Sequence, residues 1–207
     1  MPQPADGVIK FELQHHSGAL PAWADSSAIR HWFAACRELD LIGQHANRYG
    51  GAAYGNISQR AEQGFLITGS QTGGQPQLSA DDIAWVTAFD VDANQLQSQG
   101  PIKPSSESLT HGQLYALAPE VNFIIHIHDK HLWEGAQALG LQATDAQAAY
   151  GTPQMAREVQ RLMADPQVCA AGMFSMAGHE DGLVIFGESA KQAGERTLAL
   201  YRRGQQI

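Results

Sequence analysis

The segment VNFIIHIH at residues 121–128 constrains the fold more than any other stretch of the chain. Its β-branched and aromatic residues specify a strand. Residues two apart on a strand share a face, so His126 and His128 project together with Ile124, while Phe123, Ile125 and Ile127 project to the other side. Two imidazoles held side by side by a strand can bind one metal ion, and a catalytic zinc takes three protein ligands and leaves a fourth position open. The same pair is equally compatible with two interior histidines satisfied by hydrogen bonds.

Around this strand, helical and strand-like segments intermix without a clean βαβ repeat. The spacing of Ile29, Trp32, Phe33, Cys36 and Leu39 predicts a helix within 26–43, with a serine cap before it and Gly43 after it. GNISQR and GFLITG predict a hairpin joined by Ala61 to Gln63. LSADDIAWV predicts a short helical turn capped by Ser79, and AWVTAFDVD a strand. PSSESLTHGQLYALAP (104–119) reads as a helix stopped by Pro119, and GTPQMAREVQRLM as one started by Thr152 and Pro153. AAGMFSMAG and GLVIFG read as strands, and SAKQAGERTLALYRRG as a closing helix. The pattern predicts an α/β protein with a mixed sheet covered by helices.

Composition limits the partners. The chain is 43% hydrophobic and 16% charged, which supports a sizeable core. A net charge of −8, with no long Lys/Arg run, argues against nucleic acid or an anionic membrane as the main partner. No apolar run approaches the about 18 residues of a membrane span. The start MPQPADGVIKFELQHH lacks a basic stretch followed by an apolar one, so no signal peptide is expected. Cys36 and Cys169 form no CxxC and read as buried thiols in a reducing compartment. A cytoplasmic location is the expectation.

Glu107 stands at the start of the helix that runs directly into the histidine strand. A carboxylate there can serve the helix dipole, or it can donate and accept protons beside a metal. His111, four residues on, lies on the same helical face and can either bond Glu107 or fill an interior position. In HDKHLW, Asp129 and His131 can orient a ligand imidazole. Alternatively Asp129 caps a helix, with His131 on its surface and Trp133 in the core. His15, His16, His31 and His45 have no supporting context.

Four blocks in order, GNIS.R (55–60), LIT (66–68), PSSES..H (104–111) and HIH (126–128), resemble the class II aldolase/adducin family, and the resemblance extends from about residue 25 to about residue 200. It implies a three-layer α/β/α sandwich with a mixed, largely antiparallel central sheet, as a single domain over 1–207 with an N-terminal extension at 1–24. It implies His126 and His128 as zinc ligands and Glu107 as the catalytic acid/base. The family takes its third ligand from a histidine usually placed directly before a glycine. In MAGHEDGLVIFG (176–187) the residue before Gly182 is Asp181, and the histidine is His179. His179 is expected as the third ligand, because three neutral imidazoles suit a catalytic zinc. Asp181 is the alternative, and a two-histidine, one-carboxylate set would suit iron or manganese.

For a substrate phosphate the resemblance points to Asn56, Thr68, Ser70, Ser105 and Ser106, around the turn GSQTGG, where Gln71 occupies the place of an expected glycine. That turn can present N–H groups to an anion or be an ordinary hairpin loop. Between the metal pair and YGTPQMARE (150–158) the chain is shorter than its relatives. It lacks the segment that carries a tyrosine into the neighbouring subunit's site, and Tyr150 is not its equivalent.

The implied activity is that of a zinc-dependent aldolase-type lyase, cleaving a small sugar phosphate or hydroxy-keto compound through a metal-stabilised enediolate. Epimerase, dehydratase and decarboxylase reactions share that chemistry. A non-catalytic adducin-like interaction protein and a non-haem iron oxygenase are the readings from other classes. The substrate is expected to be a small carbohydrate-like molecule, and the assembly a homo-oligomer, a tetramer by analogy with the family.

Overall fold

The computed structural model describes residues 8–207. In chain order the elements are β1 (Glu12–Ser17), α1 (Ser27–Glu38), β2 (Gly43–Gln44), β3 (Ala53–Tyr54), β4 (Asn56–Arg60), β5 (Phe65–Thr68), β6 (Ile83–Asp90), β7 (Gln95–Gly100), α2 (Ser108–Leu117), β8 (Phe123–His128), α3 (Lys130–Glu134), α4 (Pro153–Met163), α5 (Pro166–Ala171), β9 (Met173–Ser175), β10 (Gly182–Gly187) and α6 (Ala190–Gly204). Residues 1–7 of the expected N-terminal extension lie outside the described residues. No helix among the described residues is long and apolar enough to cross a membrane.

Eight strands form one sheet in the order β1-β7-β6-β5-β4-β8-β10-β9, and β2 pairs separately with β3. Every neighbouring pair in the large sheet is antiparallel except β1 with β7. The predicted hairpin is β4–β5, with Arg60 opposite Phe65. Gly64 closes it at φ +64°, where a Cβ would collide with the Val86 carbonyl, so only glycine serves.

β8 is buried at all six positions. Phe123, Ile125 and Ile127 join Ile57, Ile83, Leu183 and Ile185 beneath α1 (Ile29, Phe33, Cys36) and α6 (Ala193, Leu200). Ile124 joins Phe65, Val86, Val184 and Phe186 beneath α2 (Leu109, Leu114, Tyr115) and α4 (Met155, Val159, Leu162). The sheet is thus covered on both faces, giving the three-layer α/β/α sandwich. His126 and His128 share the face of Ile124 and so lie on the same side as α2, the helix that begins just after Glu107.

Several local expectations are met in detail. Ser79 and Asp82 form a reciprocal capping box on a short 3₁₀ turn, and Thr152 caps α4 by accepting from Met155 N. Others differ. Helix α1 ends at Glu38 with Leu39 as C-cap, and Asp40 at φ 57° makes the turn, while Gly43 lies beyond it in β2. Ser26 sits at the N-cap without a side-chain bond. The strands β1 and β7 and the short helix α5 were not expected from the sequence.

Candidate metal centre

Three imidazoles meet on the α2 side of the sheet. His126 and His128 come from β8, and His179 from the turn that joins β9 to β10. Their candidate ligand nitrogens all lie within 4.8 Å of one another. His128 Nε2 is 3.0 Å from His126 Nε2 and 3.0 Å from His179 Nε2. His126 Nδ1 donates to the Leu183 carbonyl at 3.0 Å, which fixes the tautomer with the Nε2 lone pair facing the cluster.

Burial decides the charge. The three residues are 1%, 1% and 5% exposed. Loss of hydration lowers the pKa of His126 to about 4 and pushes those of His128 and His179 well below the usual value, with mutual repulsion and Arg48 adding at His128. The rings are therefore neutral at pH 7, and neutral imidazole is the form that ligates metal.

Space has been cleared for this arrangement. Gly182 pairs with His128 in the sheet, and a Cβ on it would sit 2.5 Å from His179 Cδ2 and 3.2 Å from His126 Cε1. Among the described residues these three histidines are the one cluster of His, Cys, Asp and Glu with metal-binding geometry, and three convergent neutral imidazoles fit a divalent transition ion.

Glu107 sits beside the cluster, 3% exposed, with its Oε1 3.9 Å from His179 Nε2. Because burial holds His179 neutral, that contact is not an ion pair. Glu107 occupies the N-cap of α2 without a side-chain capping bond, and its Oε2 accepts from Thr110 Oγ1 at 3.0 Å. The capping work falls to Ser105, whose Oγ accepts from Glu107 N at 3.3 Å and whose carbonyl accepts from Ser108 Oγ at 2.6 Å. His111 bonds Ser58 Oγ at 2.7 Å rather than Glu107, and Ser58 in turn meets the Tyr115 hydroxyl at 2.8 Å.

Asn56, Ser70, Ser105, Ser106 and Glu107 line one cleft with the three histidines. Thr68 is not among the lining residues. Its Oγ1 accepts from Ile57 N at 3.2 Å and ties β5 to β4. The hydroxyl that sequence reading passed over is Thr72, which lines the cleft beside Gly73 and donates to the Gly69 carbonyl at 2.9 Å. The available signal was its position directly before the double glycine. Gln71 takes the left-handed φ of 63° expected of a glycine there, and its Oε1 accepts from Ala53 N at 2.9 Å.

Asp181 faces elsewhere, accepting from the Tyr49 hydroxyl at 2.6 Å. Asp129 caps α3 through Leu132 N, and His131 meets the Gly204 carbonyl at 2.9 Å, so neither orients a cluster imidazole. Leu132 rather than Trp133 fills the core beneath α3. Trp133 is half-buried and donates to the Met176 carbonyl at 2.9 Å.

A model of the class II aldolase and adducin N-terminal domain matches residues 33–205, and the chain belongs to that family. Methylthioribulose-1-phosphate dehydratase of Gluconacetobacter diazotrophicus is 30% identical over 99 residues, covering 47% of this chain and 46% of the relative. The match thus spans about half the length of that protein. L-fuculose-1-phosphate aldolase of Thermus thermophilus is similar in fold, with a TM-score of 0.61 at 19% identity over 86% of this chain and 90% of that one. A sugar-phosphate aldolase of Thermotoga maritima gives a TM-score of 0.61 at 16% identity over 86% and 92%.

Proposed function

We propose that this class II aldolase and adducin family member is a zinc-dependent aldolase-type lyase acting on a small phosphorylated hydroxy-keto compound. The observation that carries the proposal is the cluster of three buried, neutral imidazoles with a carboxylate 3.9 Å from one of them, at the end of a hydroxyl-lined cleft.

In this reading His126, His128 and His179 hold the ion, which supplies Lewis-acid stabilisation of negative charge developing on a substrate oxygen. Glu107 takes a proton from the substrate and returns it to the product. Its fixed position, set by Thr110 and by the start of α2, keeps the carboxylate within reach of a molecule in the cleft. Asn56, Ser70, Ser105 and Ser106 bind the phosphate, with Thr72 and the turn around it completing the hydrogen-bonding surface. No Lys or Arg is among the described residues that line the cleft, so what this chain offers an anion there is hydrogen-bond donors.

A dehydratase is the second reading, favoured by the similarity to methylthioribulose-1-phosphate dehydratase. Aldol cleavage removes the proton of the hydroxyl on the departing carbon and breaks a carbon–carbon bond, whereas dehydration removes the C–H proton next to the carbonyl and expels the neighbouring hydroxyl as water. The test is to incubate the zinc-loaded protein with ketose 1-phosphates, including the 5-methylthio compound, and identify products by mass spectrometry. Two carbon fragments support the aldolase. A single product lighter by one water supports the dehydratase. Unchanged substrates across the panel would count against both. A homotetramer in the cytoplasm is the fuller form of the proposal, and a clean monomer in size-exclusion chromatography would remove the oligomer from it.

A further inference from the structure

Beside His128, a second set of polar groups binds the cluster's two supports together. Tyr49 stands at its centre. Its ring packs 4.9 Å from the His128 ring at 72°, with Tyr54 behind it at 5.6 Å from the same imidazole. Its hydroxyl donates to Asp181 Oδ2 at 2.6 Å and accepts from Arg48 Nη2 at 3.1 Å. Arg48 Nη1 reaches Asp40 Oδ2 at 2.8 Å, and the Tyr54 hydroxyl donates to Asp40 Oδ1 at 2.5 Å. One side chain therefore touches both histidine-bearing segments: the strand residue His128 by its ring, and the turn carrying His179 by its hydroxyl.

The turn meets that anchor at Asp181. It runs from Met176 to Gly182 and closes through His179 N to the Met176 carbonyl at 3.0 Å, Gly182 N to the His179 carbonyl at 2.9 Å and Met176 N to the Gly182 carbonyl at 2.9 Å. Asp181 adopts φ 62° within it, and its carbonyl accepts from Asp129 N at 2.9 Å. That left-handed step presents His179 to the cluster and swings the Asp181 carboxylate out towards Tyr49. Tyr49 is itself at φ 48° and Asp40 at φ 57°. A left-handed backbone is costly for a tyrosine and persists only where the surroundings over-determine it. Here the surroundings are the hydrogen bonds to Asp181 and Arg48.

We propose that Tyr49 and Asp181 form a latch that positions His128 and His179 for the ion, with Tyr49 as a positioning residue that touches neither ion nor substrate. The inference rests on the metal reading of the cluster. The tests are zinc affinities, measured by competition with a chromophoric chelator on Tyr49→Phe, Asp181→Ala, Asp181→Asn and the Tyr49→Phe/Asp181→Ala double variant. Circular dichroism of each confirms that the fold is kept. Removing an outer support of a ligand imidazole weakens metal binding by about ten- to hundredfold, and that loss is expected for Tyr49→Phe and for Asp181→Ala. The double variant should lose less than the product of the two single losses, because both changes break the Tyr49–Asp181 bond, while Tyr49→Phe also removes the acceptor of Arg48 Nη2. Asp181→Asn keeps an acceptor and tolerates left-handed backbone, so it should bind zinc close to wild type. Wild-type affinity in Tyr49→Phe, or losses that multiply in the double variant, would overturn the latch. Loss of zinc in Asp181→Asn would instead make Asp181 a ligand. If the wild-type chain binds no zinc, the metal reading falls and the latch falls with it.

Discussion

The glycine before Leu183 offers a sharp perturbation of the cluster. In Gly182→Ala the new methyl group would stand 2.5 Å from His179 Cδ2, 3.0 Å from the His179 carbonyl and 3.2 Å from His126 Cε1. Carbon atoms rest about 3.5–4.0 Å apart, so the His179 ring must retreat by about 1 Å or more. Metal–ligand distances tolerate only about 0.2 Å, so the displaced ring leaves the ligand set or holds the ion poorly. Gly182 does not have a positive φ, so the backbone itself accepts alanine. Overpacking of this kind costs about 1–3 kcal/mol, and a chain of this size then melts lower by about 2–4 °C for each kcal/mol. The expectation is a folded variant with a modestly lower melting temperature and zinc affinity reduced at least tenfold. The assay is zinc titration by calorimetry beside thermal melts in the presence of a chelator. Wild-type zinc affinity in a folded Gly182→Ala would refute the reasoning, since the three nitrogens could not then be the binding set.

Three further outcomes are expected. Zinc measured by elemental mass spectrometry should be near-stoichiometric in the wild type and lost in both His126→Ala and His179→Ala; retention in the latter would remove His179 from the site. Glu107→Gln should keep zinc while kcat/KM falls by about a hundred- to ten-thousandfold, the range for a lost general acid/base, and full activity would dismiss Glu107 as the proton carrier. The third concerns acid. His126, with pKa about 4, and His128 and His179, also lowered, bind protons less readily folded than unfolded, where histidine titrates near about 6.5. Their contribution to stability is then intact above about pH 6.5 and is lost as the pH falls from there towards 4. Chelator-treated protein should show its urea midpoint dropping between about pH 7 and 5, less steeply in His126→Ala; identical slopes would contradict the buried neutral cluster.

What the sequence revealed follows physical lines. The strand Phe123–His128 was legible because alternation on a pleat assigns each side chain to a face, and both cores divide it as predicted. Helix α4 was legible from Thr152 and Pro153, whose local geometry needs no tertiary information. The strands ELQHHS and QLQSQG were missed because they carry few apolar residues. β1 is an edge strand and largely exposed, so hydrogen bonding to β7 rather than hydrophobic alternation places it. His179 is the expectation preferred over Asp181, and the turn that brings it to the other two imidazoles contains a left-handed Asp181, which no local pattern announces. Thr68 and Thr72 differ in placement for a similar reason. The first is used up by Ile57 N across the hairpin, whereas the second lies where the turn bends into the cleft.

The three imidazoles stand on unequal foundations. Two ride on β8, which is hydrogen-bonded on both sides by β4 and β10 and buried along its whole length. The third rides on a six-residue connection (176–181) closed by a few backbone bonds. Strand and turn therefore differ in what a change of sequence can reach. Replacing residues in the turn reaches the third imidazole while the sheet register stays as it is, whereas the other two move only with the strand. A chain built this way can vary one corner of the cluster without renegotiating its fold.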